Sequence, residues 1–323
     1  WVRKAMWRRS IAVGRQHVHT IEVAVKTSHG MADIGKDLSD ELARDLAVIS
    51  GLPHQNILTL HGVCESGGPP MIVYELMATD LSTLLKEALE HRKASKASVD
   101  NPQQVLPTHV LLRILRDVSA GLAHLHSHGV IHRDVKPANV LLRDDQVKLC
   151  DFGSSRDLQH TLQRMSVAGT VDYMAPEVLD KEPAGRPADV WGFGVLLFEC
   201  VTGTVCARRA STQVLTAELT RAGCLPQLVQ LFAECHQADE PSKRPLMTHI
   251  HRQLQRLVMQ EASDSQRLKE ELKRAEAQDR DTYDSTWNEH YAKQPQAKAL
   301  LDYVSSLQQR PSLMGFCCFL FFD

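Results

Sequence analysis

Several things are scarce in this chain. Charge of one sign is not in excess: 37 Lys and Arg stand against 39 Asp and Glu, a formal net charge of −2. That balance gives no global pull toward nucleic acid or an anionic membrane. The eight cysteines are scattered and form no Cys-x-x-Cys pair, which argues against a zinc ribbon or a disulfide framework. Reduced thiols in a cytoplasmic compartment are the simpler reading. No apolar run is long enough to span a bilayer, and no secretory leader is expected. Glycine is thin at the front. Gly14 is the only one before Gly30, so no glycine-rich phosphate loop lies there.

What is present suits a folded protein. A hydrophobic content of 43% supports a sizeable core. The 323 residues suit one large domain of two lobes or two small domains. The chain starts at Trp1 rather than Met, as expected of a fragment or a processed product.

The stretch from His132 to Gly153 organises the rest. Val140, Leu141 and Leu142 suit one short strand, Asp144-Asp145-Gln146 a tight turn, and Val147 to Leu149 a second strand running into a loop. Asp134, Asn139 and Asp151 sit at the ends of this hairpin. Their oxygens are the hard ligands that magnesium prefers, usually together with phosphate oxygens and water. A carboxylate, a lysine and a metal-binding pair placed together suit phosphoryl transfer, where catalysis is mostly positioning and charge neutralisation.

These residues resemble the protein kinase family. His132-Arg133-Asp134 with Asn139, Asp151-Phe152-Gly153 and Ala175-Pro176-Glu177 match its motifs in the right order. The resemblance implies an α+β, two-lobed kinase fold over residues 1–258. The small β-rich lobe would be 1–77 and the helical large lobe 78–258. A charged helical or disordered extension, 259–323, would follow, with an apolar last ten residues from Met314.

The resemblance also implies roles. Asp134 orients the acceptor hydroxyl and takes its proton, and Lys136 neutralises the phosphoryl group in transit. Asn139 and Asp151 hold Mg2+. Lys26, closing Val23-Ala24-Val25-Lys26, grips the α- and β-phosphates of ATP. Val2, Ala24 and Leu141 line the nucleotide pocket. Met71 to Met77 is similar to the connector of mitogen-activated protein kinases, with Tyr74 as gatekeeper and the backbones of Glu75 and Met77 on adenine. Asp80 reaches the ribose or caps the helix that starts at Leu81, and both roles stay open. The first strand and its glycine loop are expected upstream of Trp1.

A helical period over 33–50, at Ile34, Leu38, Leu42, Leu46 and Ile49, resembles the small-lobe helix. There Asp45, or Glu41 one turn earlier, stands in for the glutamate that pairs with Lys26. Residues 91–107 read as a surface insertion. Val110 to His128 reads as a helix ended by Gly129, with His124, His126 and His128 on different faces rather than joined at a metal.

Residues 151–177 are similar to the activation segments of tyrosine-kinase-like and MAP kinase kinase kinase groups. Thr170 would bridge Asp134 and Lys136, and Ser166 would take an activating phosphate from an upstream kinase, with Thr161, Ser154 and Ser155 as competing acceptors. Asp189 is expected to anchor the catalytic loop, and Arg244 to pair with Glu177. Lys136 and Thr170 favour Ser/Thr over Tyr acceptors on protein substrates. Asp45 and the missing glycine loop keep a second function open, a catalytically weak or inactive nucleotide-binding scaffold.

Overall fold

The structure, a computed structural model, describes residues 2–11, 17–27, 46, 50–64, 71–94, 104–152, 170–182, 185–207, 210–238 and 240–277. Of the helix expected over 33–50, Leu46, Ser50 and Gly51 are helical, while Asp45 and Glu41 lie outside the described residues. So do Ser154, Ser155, Thr161, Ser166 and the apolar last ten residues.

The small lobe is an antiparallel sheet in the order β1-β2-β4-β3. Its strands are β1 (Val2–Ile11), β2 (His17–Thr27), β3 (Leu60–Cys64) and β4 (Met71–Glu75). β-branched residues make β2 and β4 good strand formers, because their stiff side chains pack well on a pleated surface. The register sets Ala24 opposite Tyr74 and Lys26 opposite Ile72. Directly opposed residues share a face, so Ala24 and Lys26 lie on the side where Ile72 and Tyr74 are buried. β1 forms the outer edge. Val2 and Met6 are exposed there, and Lys4 pairs with Glu22 across the strands at 2.6 Å.

A second, three-stranded sheet lies at the junction of the lobes. It is built from β5 (Thr79–Asp80), β6 (Val140–Arg143) and β7 (Gln146–Leu149), in that order. The expected hairpin is therefore present, with Asp144 and Asp145 alone as its turn and Asp144 at φ 51. The segment 56–58 binds β7 directly. Leu149 N–H donates to the Asn56 carbonyl at 2.9 Å, and Leu58 N–H donates to the Leu149 carbonyl at 2.9 Å.

The large lobe is helical. Its helices are α1 (Leu81–Ala94), α2 (Thr108–Ser127), α3 (Pro176–Leu179), α4 (Arg186–Thr202), α5 (Thr212–Arg221), α6 (Pro226–Cys235) and α7 (Met247–Ala277). Leu111, Leu115 and Leu122 of α2, Phe193 and Leu197 of α4, Phe232 of α6 and Leu254 of α7 are all buried in one core. Spacings of three, four and seven put such residues on a single helix face. α4 is apolar nearly all round and is buried nearly all round. It ends at Gly203, φ 77, where a Cβ would sit 2.5 Å from Leu89.

The insertion expected over 91–107 is corrected at both ends. Residues 91–94 complete α1, and the chain is already back in the core at Leu106, with Val105 N–H on the Val201 carbonyl at 2.9 Å. Apolar Val105 and Leu106 pull that end inward despite the polar residues around them. The boundary expected at 258 falls inside α7. Leu254 is buried, Met259 is exposed, and the helix continues to Ala277.

Candidate active site

The loop before β6 carries the acidic centre. Arg133 has φ 66 and Asp151 has φ 64, a left-handed backbone that side-chain-bearing residues seldom adopt. The surroundings hold both loops in place. Asp189, at the start of α4 and 1% exposed, accepts from His132 N–H at 2.8 Å, from Arg133 N–H at 2.7 Å and from the His126 ring at 2.7 Å. The Asp134 N–H donates to His132 Nδ1 at 3.3 Å, so His132 carries its proton on Nε2 and donates it to the Cys150 carbonyl at 3.1 Å. The buried His132 ring also packs on Phe152 at 5.1 Å. One imidazole thus ties the loop of Asp134 to the loop of Asp151.

Asp134 is buried. Its Oδ2 accepts from Asn139 Nδ2 at 2.8 Å and lies 2.7 Å from Lys136 Nζ. Its Oδ1 is buried and has no hydrogen-bond partner among the described residues. A buried carboxylate oxygen left in that state is costly unless a ligand or water completes it. Asn139 donates a second time, to the Asp134 carbonyl at 2.8 Å, which fixes the orientation of its amide. The Cys150 N–H donates to the Asn139 carbonyl at 3.0 Å, so Asn139 and Asp151 are brought side by side across the two strands. An amide oxygen and a carboxylate so placed are hard oxygen donors, and they fit magnesium.

Lys26 reaches this centre from the small lobe. Its Nζ lies 3.4 Å from Asp151 Oδ1, with side chains 25% and 43% exposed. This partly exposed ion pair joins the small lobe to the loop of Asp151, and an anionic group arriving there would compete with Asp151 for the Lys26 ammonium. Asp45, the helix residue expected to pair with Lys26, lies outside the described residues. Ala24 and Leu141 are partly buried against the core, whereas Val2 is 64% exposed on the edge strand.

The connector is partly committed. Glu75 N–H donates to the Thr59 carbonyl at 3.0 Å, and Tyr74 is buried beside it. Met77 is partly buried against the core. Asp80 takes the capping role, accepting from Thr83 N–H at 3.0 Å and from Thr83 Oγ1 at 2.8 Å.

Two features had no place in the sequence reading. Glu75 forms an ion pair through its side chain with Lys148, and His54 stacks on His124, which in turn packs against His128. A lysine flanked by apolar residues in a short strand was the one available signal for the first. Such a residue is pulled inward by its neighbours and then needs an acid. In the second, the His54–His124 stack joins residues far apart in the chain. His124 and His128, four apart at the end of α2, share a face, which corrects the expectation that these histidines lie on different faces. The large-lobe pair expected of Glu177 and Arg244 is present as two parallel bonds, at 2.6 and 2.9 Å.

Comparison with known proteins agrees with this geometry. The family model described as "Protein kinase domain" matches residues 10–317. Mitogen-activated protein kinase kinase kinase 12 of Rattus norvegicus is 35% identical over 178 residues, covering 55% of this chain and 18% of that protein. Mitogen-activated protein kinase kinase kinase 13 of Homo sapiens is 34% identical over 192 residues, covering 55% of this chain and 18% of that protein. Serine/threonine/tyrosine-protein kinase HT1 of Arabidopsis thaliana is 31% identical over 222 residues, covering 66% of this chain and 54% of that protein. The chain thus spans under a fifth of the kinase kinase kinases and about half of HT1. Among the described residues no helix is long and apolar enough to cross a membrane.

Proposed function

The chain belongs to the protein kinase family, and from that premise we propose that it transfers the γ-phosphoryl group of ATP to serine or threonine hydroxyls of protein substrates in cytoplasmic signalling. The observation that carries this reading is Asp134, held through one carboxylate oxygen by Asn139 and Lys136, with the other unmatched among the described residues. That second oxygen is where an acceptor hydroxyl would donate its proton as it attacks. Lys136 stands beside it to offset the charge on the phosphoryl group, and Lys26 takes the α- and β-phosphates. Asn139 and Asp151 would hold magnesium, which when bound neutralises charge on the phosphate oxygens. Ala24 and Leu141, with Val2 at the edge, would enclose the base, the backbones of Glu75 and Met77 would bind its polar edge, and Asp80 would approach the ribose.

The kinase unit is taken as residues 1–258 with 259–323 as an extension. The names of the relatives point to substrates that are themselves protein kinases. Phosphorylation of Ser166 by an upstream kinase, read by Arg133, is the activating event that this reading expects.

A second reading, a nucleotide-binding scaffold, is favoured by Asp45 in the glutamate position and by the single glycine before Gly30. Transfer of labelled phosphate from ATP to a basic protein, followed by phosphoamino-acid analysis, decides between them. Phosphoserine or phosphothreonine supports the kinase. ATP binding without transfer supports the scaffold. Phosphotyrosine alone overturns the assigned acceptor.

A further inference from the structure

The connector between the lobes is gripped by the same hairpin that leads to the metal-binding residues. Lys148 Nζ lies 2.6 Å from Glu75 Oε1 and donates to Thr59 Oγ1 at 3.2 Å. Thr59 N–H donates to that same carboxylate oxygen at 2.6 Å, and Glu75 N–H donates back to the Thr59 carbonyl at 3.0 Å. One residue along, Arg143 donates to the Leu76 carbonyl at 2.7 Å, and its other terminal nitrogen donates to Gln146 Oε1 at 3.2 Å. Two consecutive connector residues are therefore fastened to β6 and β7 by two cations.

The ion pair is dry. The side chains of Lys148 and Glu75 are 8% and 11% exposed. Burial pushes the Glu75 carboxyl up, and the hydrogen bonds from Lys148 and Thr59 more than reverse it, so the group stays ionised below its ordinary range. A buried pair of this kind adds little net stability over an apolar pair of the same shape, so its value is to fix geometry. Lys148 lies in β7 three residues before Asp151, and the strand ends at Leu149 between them. Asn139 stands immediately before β6, and Arg143 ends that strand.

We propose that Lys148 and Arg143 are positioning residues for the nucleotide. They hold the backbone of Glu75, Leu76 and Met77 at a set distance from Asn139 and Asp151, so that the base and the phosphates are gripped together. The proposal rests on the nucleotide-binding reading above. Neither side chain touches ATP; each acts through the connector.

The test is titration of the chain with a fluorescent ATP analogue and magnesium, alongside hydrogen exchange of the amides at 75–77 followed by mass spectrometry. Lys148→Met is expected to weaken ATP binding by about tenfold and to speed exchange at Leu76 and Met77, since one charge-assisted bond is worth that much. Lys148→Arg, which keeps the charge, is expected to bind within about threefold of the wild type. Arg143→Met is expected to speed exchange at Leu76 with a smaller loss of affinity. A folded Lys148→Met with unchanged affinity and unchanged exchange overturns the proposal, because a purely structural pair would lower only the melting temperature. Should Lys148→Met fail to fold, Arg143→Met decides on the same two readings, and no change in either overturns it. A wild type that binds no ATP overturns the nucleotide reading, and the exchange arm then judges the clamp by itself.

Discussion

Two sets of charges differ in how completely the protein satisfies them. Behind the site, Arg244 gives two bonds to Glu177, one to the Gln237 carbonyl at 2.9 Å and one to the Pro187 carbonyl at 2.9 Å, and its guanidinium lies 5.1 Å from the Trp191 ring. Asp189 likewise fills both oxygens with donors from the catalytic loop and α2. In the cleft, Asp134 keeps one oxygen without a hydrogen-bond partner among the described residues, and Asp151 meets Lys26 at 3.4 Å. Charges that hold the fold are saturated by the protein. The acids of the proposed site keep capacity in reserve, at a cost in stability.

The largest effect expected from breaking this contrast is on the cleft side. Asp134→Asn should lower phosphoryl transfer by roughly 10²–10⁴-fold with nucleotide binding largely kept, since general-base catalysis contributes about that much. Turnover above about a tenth of wild type in an active form would remove Asp134 from the base role.

On the anchoring side the loss should appear as stability instead. Glu177→Ala leaves the Arg244 guanidinium buried, and it should cost about 3–5 kcal/mol. Chemical denaturation measures it, and an unchanged midpoint would mean that the bonds of Arg244 to Gln237 and Pro187 suffice alone.

A third measurement sharpens the comparison through pH. His236 stacks on Trp191 at 4.1 Å and on Phe232 at 5.1 Å, and Thr212 Oγ1 lies 3.1 Å from its Nδ1. Burial holds its pKa down from 6.5 to about 4, opposed in part by a backbone hydrogen bond and helped by the weaker effect of the Arg244 charge. Between those values the unfolded chain binds a proton that the folded chain refuses, so stability is whole above about 6.5 and falls as pH drops toward about 4. His236→Asn should flatten that part of the pH–stability curve relative to the wild type. An equal slope in both proteins would show that His236 is not the group responsible. His54 and His124 are also held low, first by burial and then by neighbouring imidazoles, and they add to the same acid-side loss.

The smallest effect belongs to the surface. Lys4 and Glu22 pair at 2.6 Å but are each more than half exposed. Lys4→Ala should change stability by less than about 1 kcal/mol and vanish in high salt. A larger, salt-independent loss would place that pair among the anchors.

Much of this was legible in the chain itself. Alternation at Ile21 to Lys26, which presents one face to a core, and the short apolar run from Met71 both point to strands. The spacing of Asp134, Asn139 and Asp151 dictates a cluster because the hairpin between them is too short to part them. Glu177, Asp189 and Arg244 were likewise readable from their motifs. Tertiary structure alone decided the rest. Asp80 was open to capping and to ribose binding, and the position of Thr83 gives it the cap while its part in ribose binding stays a proposal. Lys148 and Glu75, and His54 and His124, meet only because the lobes close on one another. A buried charge or ring takes whichever partner the packing brings within reach, and that choice is written in no local pattern of residues.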